Sequence, residues 1–443
     1  MVISPKHRLL LGCLMACSPV ATAQVSDQAQ VQGLVARLPD AVHSAVLRHP
    51  SVPQAVARIN EEAEQMNVAR SAYRPQLRAG MDLGNGWESE QYRRYASVSV
   101  SQMVYDFGRT SNQVNRAKAR SEVERANLLV QIDDLVMDVA EAFIEVLRHQ
   151  ALIELMDEHI ERVGEIGELA RQRLALGAGN GSDAIQARAR EEAAQSDGLS
   201  LQTRLGRWKV ILASLIQAPV AQQLLDDLNT FDSFSCSSSS LSTAESAQFV
   251  LAQAERNVAM SQLQGEKLNR YPSISLEMGA RKPVFDNRFD SGENDFNVAL
   301  RVSMDLYQGG RVTARTRSAE YGLRNSELNT DLARLKTLQK IDEADAQIRM
   351  LAGRDQILQA QERSAEQTRE LYREQYVSLG TRSLVDLLNA AQELHMARYD
   401  RANLRYDQAM LKLECMNASG ALREHFDINV ESLTGDSGAG SLL

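Results

Sequence analysis

Residues 295–306 read Asp-Phe-Asn-Val-Ala-Leu-Arg-Val-Ser-Met-Asp-Leu, and their alternation decides the fold. Phe296, Val298, Leu300, Val302, Met304 and Leu306 take one side, while Asn297, Ala299, Arg301, Ser303 and Asp305 take the other. A period of two belongs to a β-strand with unlike faces. Upstream, Ile274, Leu276, Met278 and Ala280 alternate with Ser275, Glu277, Gly279 and Arg281. Two weaker copies lie earlier in the chain. Leu77, Ala79, Met81 and Leu83 oppose Gln76, Arg78 and Asp82, and Val98 and Val100 oppose Ser97, Ser99 and Ser101. Turn-forming residues, Gly84 to Arg94 and Lys282 to Asp295, read as the loops joining each pair.

The oily face has two readings. In a soluble sheet it packs on a core and the charged face meets water. In a bilayer it meets acyl chains, and about ten residues is the length that crosses when tilted. Aromatic residues near the predicted strand ends favour the bilayer, as interfacial girdles do. Trp87, Tyr92, Tyr95, Phe285, Phe289 and Phe296 gather at one side, and Tyr105, Phe107 and Tyr307 at the other. Leu276, Met278, Val298, Leu300, Val302 and Met304 are therefore expected to face lipid. Four strands cannot close a barrel, and an open edge in lipid leaves backbone groups unpaired at several kcal/mol each. Such a chain must assemble. Two copies give eight strands, largely filled by side chains, so a conducting pore wants three or more.

Outside the strands, proline placement is informative. All nine prolines fall at 5, 19, 39, 50, 53, 75, 219, 272 and 283, leaving 76–218 and 284–443 free for long helices. From Gly108 to Leu176 the apolar residues Leu128, Ile132, Leu135, Val139, Phe143 and Val146 step by three and four. Uninterrupted, that helix would run roughly 100 Å and need a long neighbour to bury its seam.

The chain is also duplicated. Arg74-Pro75 returns as Tyr271-Pro272, Gly108-Arg109 as Gly310-Arg311, and Leu176-Gly177 as Leu379-Gly380, at offsets of 197, 202 and 203 residues. The organisation read from these landmarks is a signal over 1–23, an N-terminal segment over 24–40, repeats over 41–225 and 246–425, a flexible Ser-rich linker over 226–245, and a flexible tail over 426–443.

The signal rests on Lys6 and Arg8, the apolar run Leu9 to Ala16, and Ala21-Thr22-Ala23 as cleavage site. A rival reading makes Cys17 a lipid-attachment site. Either way the chain is expected to be exported. Export would leave Cys236 and Cys415, 179 residues apart, which admit one disulfide but read more simply as two separate small hydrophobes.

The 443 residues carry 49 Lys and Arg against 58 Asp and Glu, a net charge of -9, which argues against a nucleic-acid partner. Losing Lys6 and Arg8 makes it 47 against 58, or -11. No enzyme constellation is visible and no cofactor is expected. The seven His residues are scattered, and His149 and His159 lie too far apart on one helix to share a metal. Gly177, Gly179 and Gly181 lie in a run that joins two helices and lacks the Lys-Ser/Thr of a phosphate loop, so it reads as a hairpin turn, as does Gly380. Met137, Met156, Met350 and Met410 read as seam packing rather than ligands.

In this order and spacing the motifs resemble the TolC-like outer membrane channel family across roughly residues 40–425. They are His49-Pro50 before the first helix, Arg74-Pro75-Gln76-Leu77, Tyr105-Asp106-Phe107-Gly108-Arg109, Tyr271-Pro272, Tyr307-Gln308-Gly309-Gly310-Arg311, and Leu379 to Leu388. The resemblance implies an α+β membrane protein built on a duplicated repeat. Four transmembrane strands per chain would form a trimeric twelve-stranded barrel, continued by a long coiled-coil-like helical tunnel across the periplasm. It further implies a homotrimer in outer membrane lipid, working with a periplasmic adaptor and an inner membrane transporter, which for a type I system is of ABC type. By position, Ser182 and Asp183 match the acceptors of that family's periplasmic gate, Arg382 its cationic tie, and Asp386 its lumenal acid ring. As plain helix caps, the same residues would also be favoured. Two positions depart: the gate tyrosine falls at Val377, leaving Tyr376 one place early and turned about 100° away, and a second lumenal acid falls at Asn389. A weaker cation bias at the constriction is expected from the second change.

The chain therefore reads as a passive exit duct. Residues 105–111, Ser182-Asp183 and Arg207-Trp208 look like the type I protein secretion branch, which includes exporters of large adhesins. The alternatives are a drug or small-molecule efflux duct and, outside channels, a periplasmic adaptor or a structural coiled-coil envelope protein.

Overall fold

The computed structural model describes residues 35–86, 89–237, 241–283 and 295–434. The expectations placed on the signal, on Cys17, on Trp87, Phe285 and Phe289, and on the side chains of Tyr92 and Tyr95 lie outside them.

Four antiparallel strands form one sheet in the order β1 (Gln76–Gly86), β2 (Ser89–Tyr105), β3 (Ser273–Pro283) and β4 (Asp295–Ser303). The register carries the alternation across the whole sheet. Leu77, Val100, Met278 and Val298 form one cross-strand row, and Arg78, Ser99, Gly279 and Asn297 form the next on the opposite face. Pairing of β2 with β3 joins the two repeats. Several strand bounds differ from the alternation, Lys282 and Pro283 of β3 being paired as well. The residues read as a loop at 84–94 are largely paired, with Asn85 opposite Tyr92, because the backbone ladder continues into polar residues that have no hydrophobic period to reveal it. At the other end β4 stops at Ser303, so Met304 lies beyond the strand.

Each sheet half feeds a long helix through a Gly-Arg step. Helix α3 (Arg109–Ala175, 67 residues) begins at Gly108 and α6 (Arg311–Glu374, 64 residues) at Gly310, both glycines having positive φ. Asp106 sets the first: its carboxylate accepts the Thr110 amide at 2.6 Å and the Gly108 amide at 3.1 Å. Helix α4 (Gly181–Ile216) returns along α3, and α7 (Leu384–Ser419) along α6, giving two hairpins. Two shorter helices precede β1, α1 (Leu38–Arg48) and α2 (Ser51–Ser71), so His49-Pro50 separates two helices instead of preceding the first. Helix α5 (Ala247–Leu268) leads into β3.

The main core lies where the middle of α3 is covered from several sides. Ala142, Phe143 and Ile144 are consecutive and all fully buried, which a one-sided seam cannot do. They pack with α1, the end of α4, and residues 406–426. The segment expected to be a flexible linker also contributes. Leu228–Ser233 is a 3-10 helix whose Leu228 and Phe231 enter this core, since apolar anchors outweigh the surrounding serines. Cys236 and Cys415, read more simply as separate, are disulfide-bonded with Cα atoms 6.1 Å apart. The tail packs too: after α8 (Ala421–His425), Phe426 is buried, and Val430 and Leu433 of α9 (Val430–Leu433) lie against the core. Arg423 binds the buried Asp133 of α3 and donates to the Glu245 carbonyl at 2.7 Å.

Candidate functional site

The sequence-predicted polar residues gather where the two hairpins end. Helix α3 closes in a Schellman turn: the Ala178 amide donates to the Arg173 carbonyl at 2.9 Å and the Gly177 amide to the Leu174 carbonyl at 3.0 Å, with Gly177 at φ 75°. Gly179 is required by space, because a Cβ there would sit 2.7 Å from the Leu174 nitrogen. Gly181 is instead the first residue of α4, which is capped by Asn180 accepting the Ser182 amide at 3.3 Å. Ser182 is exposed and Asp183 half-buried in that first turn.

The second hairpin turns differently. Gln375–Leu379 is π-helical and ends at Gly380, φ 64°. A π turn holds one residue more than an α turn and re-phases the side chains by about 100°. The expectation for Tyr376 is thereby corrected: it points inward and is 3% exposed, while Val377 lies outside. Tyr376 packs with Val163, Ile166, Ala170, Ala187, Leu384, Leu387 and Leu388, a small core shared by both hairpins. The Arg173 guanidinium lies 4.5 Å over its ring and also donates to its carbonyl. Burial raises the Tyr376 phenol, the Arg173 charge lowers it, and the Asp183 charge raises it again, with a net upward shift.

Arg382 and Asp386 are brought together at 3.9 Å, both partly exposed. The Arg382 Nε donates to Gln375 Oε1 at 3.0 Å, and its guanidinium lies 4.4 Å over Tyr372. Asp386 completes a capping box with Ser383, whose hydroxyl accepts the Asp386 amide at 3.2 Å. Helix capping and placement near the hairpin end therefore coincide in one residue. Among the described residues no ion pair joins Arg382 to Asp183 within one chain. Arg173, Tyr372 and Gln375 were absent from the sequence expectations, and Tyr376 was read there only as turned away. A last-turn cation such as Arg173 is the one locally visible signal.

At the opposite end, the apolar row stands uncovered. Leu276 is half-buried; Met278, Val298, Leu300, Val302 and Met304 are exposed, Leu300 at 64%. On the other face Glu277 and Arg301 pair at 2.7 Å. Among the described residues no helix is long and apolar enough to cross a membrane, and no group of three or more potential metal ligands occurs.

The chain matches the family described as "Outer membrane efflux protein" over residues 41–217 and 239–420. It is 25% identical over 402 residues to the outer membrane protein TolC of Vibrio cholerae, covering 86% of this chain and 90% of that one. It is 23% identical over 393 residues to the alkaline protease secretion protein AprF of Pseudomonas aeruginosa, covering 83% and 81%. The crystal structure of the outer membrane protein VceC from Vibrio cholerae superposes with a TM-score of 0.74 at 19% identity, covering 86% of this chain and 96% of that chain.

Proposed function

The chain belongs to the outer membrane efflux protein family, an outer membrane channel family with a periplasmic helical tunnel, and on that premise we propose that it is the exit duct of a type I protein secretion system. The observation that carries the channel reading is the sheet. One face is apolar and exposed, and among the described residues β1 and β4 each have an edge without a partner. Lipid on that face and a sister chain at each edge satisfy both. Three copies make a twelve-stranded barrel wide enough to stay open.

Heptad-spaced apolar residues on α6 support the same assembly. Tyr321, Leu328 and Leu335, then Met350, Ile357 and Leu371, are exposed in the single chain, as are Ile185, Leu199 and Val210 on α4. Such stripes fit neighbouring long helices of the next copy. Transport energy then comes from an inner membrane transporter of ABC type through a periplasmic adaptor. The preference for protein cargo is supported by the relative named for alkaline protease secretion. The family name itself keeps small-molecule efflux as the second reading.

Ser182, Asp183, Arg382 and Asp386 are proposed as the periplasmic gate, with Arg173 and Tyr376 joining the two hairpins behind them. Charged hydrogen bonds at a half-exposed site contribute a few kcal/mol at most, enough to hold a gate yet cheap to break. A deletion strain complemented with this chain tests cargo: restored export of a large secreted polypeptide supports the proposal, and restored drug resistance without it favours efflux. In planar bilayers, purified Asp183→Ala and Arg382→Ala are expected to conduct severalfold more than wild type. Unchanged single-channel conductance in both would remove the gate assignment.

A further inference from the structure

One pair of side chains joins the hairpins away from the gate residues and has no part in the duct so far. His159 of α3 and His395 of α7 stack with ring centroids 4.3 Å apart and planes 20° apart, at 5% and 6% exposure. They belong to different hairpins, so the stack spans the contact that must loosen if the hairpins part. Leu155 and Tyr399, which meet His395, pack against the buried apolar cluster of Leu152, Met156, Ala194 and Leu201. The polar surroundings are sparse and lopsided. From α3 come Glu158 and Arg162, already bound to each other. From α7 come Gln392, which hydrogen-bonds His159, and Tyr399, 5.9 Å from the His395 ring. One turn on, Arg398 of α7 binds Glu158 together with Glu362 and Glu366 of α6. His395 hydrogen-bonds the Leu155 backbone, and Asp197 of α4 is the acid that favours its charged form.

In this setting both imidazoles are held neutral. Burial, the other ring and Arg162 push His159 down to about 4, with only Gln392 opposing. Burial and Arg162 likewise lower His395, partly offset by Leu155 and Asp197. A proton on either ring would place a cation inside an apolar contact beside Arg162, and a second would set like charges face to face. Separation of the hairpins, which lets water reach the rings, removes that penalty.

We propose that the His159–His395 stack is an acid-sensitive latch: neutral rings hold the two hairpins of each chain together, and protonation drives them apart toward an open tunnel. The proposal rests on the channel reading and adds a control to it. The sign follows from linkage. The packed state binds fewer protons than the separated one between about pH 4 and 6.5, so acidification through that window favours separation. For His159 alone, passing from pH 7 to 4.5 shifts the balance about fifty-fold.

The test reads hairpin distance and conduction separately. Spin labels at Leu176→Cys and Leu379→Cys, both exposed hairpin-end positions, are placed in detergent-purified assemblies diluted with unlabelled chain. Expected is a longer label distance at pH 4.5 than at pH 7, and at least a tenfold rise in open probability in planar bilayers. The double variant His159→Gln with His395→Gln, neutral at both positions, should abolish both responses. If it does not assemble, His159→Gln alone, which removes the ring pushed down to about 4, should reduce both responses severalfold. A variant with the wild-type pH response, or a wild-type distance unchanged between pH 7 and 4.5, overturns the latch. A wild-type chain whose label distance responds but which never conducts keeps the latch and overturns the channel reading instead.

Discussion

Phe107 holds a left-handed backbone (φ 56°) at the junction of β2 and α3, where the second repeat places Gly309 at φ 57°. An L-residue there costs about 1–2 kcal/mol that glycine avoids. What offsets it is the ring, stacked on Tyr271 at 5.5 Å and edge-on to Tyr105 at 4.7 Å. The Tyr271 carbonyl also accepts from Arg109 at 2.7 Å, so the cluster ties the start of α3 to the approach to β3. Aromatic pairs contribute about 0.5–1.5 kcal/mol each beyond area burial. Both Phe107→Ala and Phe107→Gly should therefore destabilise, but Ala more than Gly by about 1 kcal/mol, because Ala keeps the strain and loses the rings. Thermal dissociation of the detergent-solubilised assembly measures this ordering, and Gly below Ala would refute the strain account. Neighbouring Asp106 adds a pH dependence. Burial alone would raise its carboxyl, yet hydrogen bonds from Thr110 and Gly108 hold it below the usual range. Its contribution is thus present above about pH 4 and lost as pH falls through the lowered value.

The strap between the repeats behaves as an element in its own right, laid along the last turns of α7. Asp226 binds Arg405 at 2.7 Å, Asp232 binds Lys412 at 2.7 Å, and Cys236 is bonded to Cys415. These links are not equal. Exposed ion pairs contribute about 0–1 kcal/mol, whereas a disulfide closing a long loop typically contributes about 2–4 kcal/mol. Arg405→Ala and Lys412→Ala should each lower the melting temperature slightly, and Cys236→Ser with Cys415→Ser clearly more. Equal effects would show that the strap is held by charge. Local periodicity made the strands, the long helices and the duplication legible in the sequence, because each is written in residues close together in the chain. The strap and its disulfide were not, since Leu228, Phe231 and Cys236 stand among serines and aspartates and their partners are far away in sequence. At the hairpin ends the glycines and Asp386 were legible as turn and cap chemistry. Tyr376 was not, because a π turn shifts the phase by one residue without changing hydropathy, and that phase decides which side chain meets Arg173.

At the scale of the whole molecule, what the single chain leaves exposed says most about assembly. A heptad stripe on α6 and the apolar sheet face are normal only if something covers them. Ile357 is 69% and Met350 75% exposed in the chain. Were the protein a monomer, Ile357→Glu would replace a surface residue and change stability by less than about 0.5 kcal/mol. In an assembly whose neighbouring helix lies on that stripe, the same change buries an unpaired carboxylate, an effect of several kcal/mol per chain. The two cases differ in kind as well as size. Light scattering of detergent-purified Ile357→Glu should report dissociated chains with helix content intact, while Ile357→Leu remains trimeric. A trimer unaffected by Ile357→Glu and Met350→Glu alike would place the inter-chain contact elsewhere on α6. A wild-type chain that is monomeric and soluble without detergent would remove the barrel, since four strands with a bare apolar face and two open edges have no stable place in water or in lipid.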